Sequence, residues 1–179
     1  MAESPNTYGI VAEFKDTTAI YKAAHKVRDD GYQKWDVYSP FPIHGMDEAM
    51  GLGRPKVSLF MGTGALLGVG GALLMQWWMN GVDYAILNGG KPLFAWEQAT
   101  PITFELGVLL SAFGCLGGML FLNKLPMPHH PLMKIDNFLR SSDDKFFIAI
   151  EAKDSKFDAS ATKGYLESLG GFNIEMVEA

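Results

Sequence analysis

The sequence predicts an α+β membrane protein, in which a two-helix transmembrane hairpin is inserted into a cytoplasmic domain split into two βαβ halves. Two apolar stretches occupy the middle of the 179-residue chain, at 57–79 and 102–122, and each is long enough to cross a bilayer. The charged segments on either side both follow the order strand, helix, strand. Since two strands and one helix leave an apolar sheet face uncovered, we expect the two ends to fold together.

The first half of the cytoplasmic domain is predicted at residues 1–50. Apolar and other residues alternate in TYGIVAEF, the pattern of a strand. Asp16 is a suitable N-cap for a helix over 17–30, and Gly31 is a suitable stop. A second strand follows at 34–38.

The second half, at residues 143–179, repeats this layout. KFFIAIEA is an apolar strand, Asp158 is an N-cap, Gly170 ends the helix, and FNIEMV is the closing strand. Together the halves give the order βαββαβ, which predicts a ferredoxin-like domain whose central β–β connection contains the hairpin.

The remaining segments are assigned by their apolar content: a hinge at 51–56, transmembrane helix 1 at 57–79, an outer periplasmic loop at 80–101, transmembrane helix 2 at 102–122, and a cytoplasmic linker at 123–142. Thr100 and Pro101 are a suitable N-cap and first helical residue for the second span.

Basic residues predict the orientation of the hairpin. Five of them lie before the first span or after the second: Arg54, Lys56, Lys124, Lys134 and Arg140. The connecting loop contains only Lys91. Because positive residues stay on the cytoplasmic side, we expect both termini in the cytoplasm.

Small residues recur along both predicted spans, and they predict close helix packing: Gly64, Gly68, Ala72, Gly107, Ser111, Gly114 and Gly118. Two alternatives remain open. The two helices could pack against each other, or part of this row could face helices of other subunits.

Glu105 is the one carboxylate inside a predicted span. A charge in a membrane segment suggests a functional site such as a proton path. The alternative is structural, since Glu105 would lie about one turn inside the outer end, where the positive helix N-terminus favours a carboxylate.

The predicted outer loop is too apolar to be a free surface loop. Its large side chains would be exposed in a monomer and predict a contact with a partner: Tyr84, Leu87, Leu93, Phe94 and Trp96.

Composition argues against several classes of site. The net charge of −5 and the lack of a basic stripe argue against nucleic-acid binding. The single Cys115 excludes cysteine-pair metal and haem motifs within this chain. His129 and His130 lack ligand partners at suitable spacing, and we expect them near lipid headgroups. We assign no catalytic, cofactor-binding or metal-binding residue.

Three stretches carry a resemblance to a known family: YSPFPIHGMDEAMGL, DYAILNGGKPLFAWEQATPITFELGVLL and NKLPMPHHPL. Over about residues 8–177 the chain resembles the small two-span membrane subunit of bacterial alternative complex III, a quinol:electron-acceptor oxidoreductase. The motif glutamate of the family corresponds to Glu105.

The resemblance implies a bacterial inner-membrane complex of respiratory or photosynthetic electron transfer. It places haem c in a multihaem cytochrome and iron–sulfur clusters in another subunit, with quinol oxidised by large multi-span subunits. It implies no cofactor and no catalytic residue for the present chain.

The sequence therefore predicts a non-catalytic structural or assembly subunit of that electron-transfer complex, in contact with other subunits and the bilayer. One alternative is a membrane-tethered sensor whose ferredoxin-like domain binds a small ligand or metal. Another is a minor proton-path subunit that uses Glu105.

Overall fold

The computed structural model describes residues 7–87 and 89–179, and the chain divides into two compact units. In one, the residues up to Gly53 join those from Pro128 onward; we call it the sheet unit. The other, Arg54–Met127, is the hairpin unit.

The sheet unit contains one antiparallel sheet built from both ends of the chain. Its four strands are β1 (Thr7–Phe14), β2 (Trp35–Tyr38), β3 (Phe146–Glu151) and β4 (Phe172–Glu178). Their order in the sheet is β2-β3-β1-β4. The central pair joins the two ends of the chain, with Val11 of β1 opposite Ala149 of β3. This pairing confirms that the terminal segments fold together.

Helices α1 (Thr17–Asp29) and α5 (Ala159–Ser168) begin at the predicted caps. The Asp16 carboxylate accepts a hydrogen bond from the backbone N–H of Ala19 at 2.8 Å. The Asp158 carboxylate accepts from Ser160 and Ala161 at 3.0 and 2.7 Å. Each cap satisfies N–H groups that the first helical turn cannot pair internally.

One face of the sheet is covered by α1, α5 and the short helix α2 (Met46–Met50). The core on this face consists of buried apolar side chains, among them Ile10, Phe14, Ile20, Val27, Met46, Ile148 and Leu166.

The opposite face is covered by residues that the sequence assigned to a linker. Leu132 and Phe138 are buried there against Val11 and Phe147. They lie in the 3-10 turns Pro131–Lys134 and Phe138–Ser142. The segment assigned to a linker thus packs with the sheet unit from Pro128 onward. Single apolar residues in short turns have no periodicity to signal burial.

The hairpin unit consists of α3 (Val57–Trp78), a π-helical turn (Met79–Asp83), and α4 (Trp96–Leu122). Both helices are long and apolar enough to span a membrane. The prediction that the second helix begins at Thr100-Pro101 is wrong, because the helix begins at Trp96 with Ala95 as its N-cap. A proline lacks its own N–H and its ring crowds the carbonyl four residues earlier, which is unfavourable within a helix but does not force the helix to begin there.

Candidate interaction surface

Helices α3 and α4 contact each other through small residues. A β-carbon on Gly64 would lie 2.3 Å from the carbonyl oxygen of Leu110, and one on Gly114 would lie 2.5 Å from that of Phe60. Such distances require glycine. The small residues named from the sequence all lie along this contact: Gly64, Gly68, Ala72, Gly107, Ser111, Gly114 and Gly118. In this structure the row serves packing within the hairpin.

A buried glutamine adds polar contacts to the same interface. The side-chain amide of Gln76 donates hydrogen bonds to the carbonyl oxygen of Ala99 and to the hydroxyl of Thr103, both at 3.3 Å. Hydrogen bonds of this kind contribute to helix association in lipid. Gln76 is not among the residues named from the sequence, although a polar residue in an apolar helix is a signal that could have found it.

The outer surface of the hairpin remains open. Only 11% of an 18-residue apolar stretch of each helix is buried. A β-carbon on Gly70 or Gly71 would meet nothing within 4 Å. The large apolar side chains exposed along both helices include Leu59, Leu66, Leu67, Leu74, Phe104, Phe113 and Phe121. Packing between the two helices therefore covers one stripe of each.

The connection between the helices exposes large side chains as well. Tyr84 is 72% exposed and Leu87 is 71% exposed. Leu93 and Trp96 are also exposed, while Phe94 is partly buried. Phe94 and Trp96 line an apolar groove on α3, whose other lining residues are Leu73, Leu74 and Trp77. The five loop residues named from the sequence are thus divided between open surface and this groove.

Glu105 is exposed on α4, but its position differs from the expectation. Because the helix begins at Trp96, Glu105 lies nine residues inside it rather than about one turn. At 3.6 residues per turn this is roughly two and a half turns, beyond the first turn where the helix dipole acts. The N-terminal dipole does not explain this carboxylate.

A buried carboxylate in the sheet unit connects distant segments of the chain. Glu13 is 5% exposed and accepts hydrogen bonds from Lys145, Asn137 and Asn173 at 2.8–3.0 Å. Burial acts to raise the pKa of Glu13, but these hydrogen bonds and the lysine charge outweigh it and hold the pKa below its usual value.

Asp154 is a second buried carboxylate with a related role. It accepts hydrogen bonds from the backbone N–H groups of Gln33 and Lys34, each at 2.6 Å, and of Lys156 at 2.9 Å. Burial acts to raise the pKa of Asp154, but the three N–H groups lower it below its usual value. The carboxylate thereby holds the start of β2 against the segment that follows β3.

His130 lies on the sheet unit, where its ring contacts Tyr8 of β1. The ring centroids are 5.2 Å apart, and the Tyr8 hydroxyl lies 3.2 Å from the His130 Nε2 atom. His130 therefore packs within the sheet unit, and its expected place near lipid headgroups stays a prediction. Among the residues that the structure describes, no three His, Cys, Asp or Glu side chains form a group that could hold a metal ion.

The family model of the ActD subunit of alternative complex III matches residues 8–176. No curated protein matches the chain. The family match extends over both the sheet unit and the hairpin unit.

Proposed function

The chain belongs to the ActD subunit family of alternative complex III, and from this premise we propose that it is a non-catalytic structural subunit. Membership places it in a multi-subunit membrane complex. In this proposal the hairpin docks among larger subunits, and the sheet unit contacts them at the membrane surface. Quinol is then the substrate of the complex, and haem c and iron–sulfur clusters belong to a multihaem cytochrome and an iron–sulfur subunit.

The observation that carries this proposal is the apolar surface at the connection between α3 and α4. Lipid could cover the outward side chains of both helices. Tyr84 and Leu87, however, lie outside the two helices, in a connection that must satisfy its backbone groups with water or protein. Large apolar side chains at such a place mark a protein contact. We therefore assign this connection, with Leu93 and Phe94, and the adjoining Trp96 of α4 to contacts with other subunits.

The buried charges of the sheet unit are engaged in holding its own segments together. Glu13 and Asp154 each accept three hydrogen bonds, and in both cases the donors belong to separate parts of the chain. Carboxylates used in this way stabilise one arrangement of the segments.

We further propose that the sheet unit is a split ferredoxin-like domain and that both termini are cytoplasmic, in a bacterial inner membrane. The strand order β2-β3-β1-β4 supports the first point, because β1 and β3 form the centre of such a sheet. The basic flanks, with Arg54 and Lys56 before α3 and Lys124 after α4, support the second.

A proton-path role for Glu105 is the second candidate, favoured by its position well inside α4. Glu105→Gln in the intact complex separates the two candidates. If Glu105 is structural, quinol oxidation by membranes carrying E105Q stays within about twofold of wild type. If it carries protons, the rate falls by about tenfold or more, as for a lost proton-transfer group.

The structural proposal is tested by native gel electrophoresis of the tagged full chain, solubilised from its own membranes in mild detergent. We expect it to migrate in a large assembly that stains for haem, and the double variant Y84A/L87A to migrate mostly outside it. Migration of the wild-type chain alone, or as a small homo-oligomer, would instead support the sensor alternative.

A further inference from the structure

We propose that Arg54, Lys56 and Lys124 form a binding site for the phosphate headgroup of an anionic phospholipid. They lie where α3 begins and α4 ends, and we call this end of the hairpin the basic end. The proposal rests on membrane insertion of the hairpin and is independent of which subunits surround it.

The packing of the hairpin brings the three cations to the same end. Lys56 immediately precedes α3, and Lys124 is the second residue after α4. Phe60, one turn into α3, contacts Gly118 in the last turns of α4, since a β-carbon there would lie 2.7 Å from that of Phe60. The rings of Phe60 and Phe121 are 6.3 Å apart. The start of one helix is thus adjacent to the end of the other.

The acidic residues of the hairpin unit lie on the side of the connection, which also contains Lys91. These three acidic residues, Asp83, Glu97 and Glu105, all lie in the π turn or in the first part of α4. The basic end contains no acidic residue, from Arg54 through α3 or from Val108 to Met127. Arg54, Lys56 and Lys124 are exposed, and within the described residues none of them forms an ion pair. Their charge is available to an external anion.

Lys124 occupies a backbone conformation that a lysine rarely adopts. Its φ is +55°, in the left-handed region. The helix end is closed by hydrogen bonds from the N–H of Lys124 to Phe121 at 3.2 Å, and of Leu125 to Leu120 at 2.9 Å. These two hydrogen bonds form a Schellman motif, in which glycine is the usual residue at the position of Lys124. A lysine there is less favourable for the backbone, and contact of its charge with an anion would offset that cost.

Apolar side chains at the basic end favour a lipid over free phosphate. Leu59, Phe121 and Leu125 are exposed next to the cations along the chain. Cations beside exposed apolar side chains match the two parts of a phospholipid, whose headgroup is anionic and whose acyl chains are apolar.

The test uses the full chain in nanodiscs that contain phosphatidylcholine and phosphatidylglycerol, followed by native mass spectrometry of the lipids that stay bound. We expect wild type to retain phosphatidylglycerol in preference to phosphatidylcholine by about a hundredfold, the product of three effects of about fivefold each. The variant R54Q/K56Q/K124Q should lose this preference, since each basic residue near an anionic surface contributes about a fivefold effect. The control K91Q, at the opposite end, should retain it.

Lys124→Gly separates charge from structure. Glycine relieves the left-handed strain, so protection of the end of α4 from hydrogen exchange should be unchanged or higher. The preference for phosphatidylglycerol should nevertheless fall by about fivefold. An unchanged preference in K124G would assign Lys124 no part in lipid binding and would overturn the three-residue site.

Three further outcomes would contradict the proposed phospholipid site. A wild-type chain without preference, or an equal loss in K91Q, would overturn the proposal. Displacement of phosphatidylglycerol by inorganic phosphate at constant ionic strength would assign the site to free phosphate instead. None of these outcomes bears on whether the chain migrates in the large assembly, so the proposed function is tested separately.

Discussion

The sheet unit and the hairpin unit differ in how much of their apolar surface they bury within the chain. In the sheet unit each face of the sheet has a buried apolar cluster, and the buried Glu13 and Asp154 have several hydrogen-bond donors each. In the hairpin unit only 11% of an 18-residue apolar stretch of each helix is buried. The contact between the helices uses one stripe of small residues. The sheet unit thus has its own buried core, although β4 leaves Phe172 and Met176 exposed, whereas the hairpin unit needs lipid or protein around it.

This difference predicts different effects for substitutions in the core of the sheet unit and on the surface of the hairpin. A substitution in the core of the sheet unit should lower stability without directly changing the contacts with other subunits. A substitution on the outward surface of the hairpin should leave the chain folded but weaken assembly. Substitutions within the helix contact are the exception in the hairpin, because they act on its own packing.

The largest effect is expected when a leucine is placed inside the helix contact. A β-carbon on Gly68 would lie 2.3 Å from the carbonyl oxygen of Leu106, so G68L must separate the helices. We expect a loss of about 4 kcal/mol, at the upper end of single substitutions. Hydrogen exchange of α3 and α4 in detergent measures it.

The matched control is G70L, on the same helix, where an added β-carbon meets nothing within 4 Å. It should leave exchange in the hairpin unchanged. Equal damage from both variants would contradict the assignment of one inner and one outer face. If G70L also leaves the native assembly intact, Gly70 faces lipid rather than a partner protein.

A smaller loss is expected from Asp154→Ala in the sheet unit. Three backbone N–H groups would lose a charged acceptor, which we expect to cost about 3 kcal/mol. Faster exchange at Gln33, Lys34 and β3 in the full chain would show this loss. D136A, which removes an exposed carboxylate, is the control and should change little.

Acid should weaken the sheet unit before the hairpin unit. The pKa values of Glu13 and Asp154 lie below their usual values in the folded chain, so both carboxylates stabilise the fold at neutral pH. That stabilisation is lost as the pH falls through the unfolded values of about 4 toward the lower folded ones. Exchange-monitored unfolding from pH 6 downward should show it in β1 and β2.

The double variant E13Q/D154N serves as the reference for the acid experiment. It should be less stable than wild type at neutral pH and should depend less on pH in the acid range. A wild-type sheet unit whose stability does not change on acidification would contradict the roles given to these two carboxylates.

The sequence was most informative where a local signal decides the structure. Asp16 and Asp158 are cap residues directly before amphipathic helices, and both helices begin where these residues predict. The shared sheet followed from the apolar faces that each half would leave uncovered.

Prediction failed where the deciding contact is remote in the chain. Leu132 and Phe138 cover the second sheet face, but nothing near them in the sequence indicates that a sheet lies opposite. The start of α4 at Trp96 was missed because Pro101 suggested a helix start, although a proline inside a helix is unfavourable rather than impossible. As a result, the sequence placed Glu105 too close to the helix end.

The most direct test of the central claim is site-specific photo-crosslinking from position 84 in intact membranes. Tyr84 is replaced by a photo-reactive phenylalanine derivative in the full chain, and the products are identified by mass spectrometry. If the hairpin unit docks among larger subunits, the dominant product joins this chain to another protein of the complex. Products with lipid or water alone, at a yield unaffected by the rest of the complex, would contradict the account.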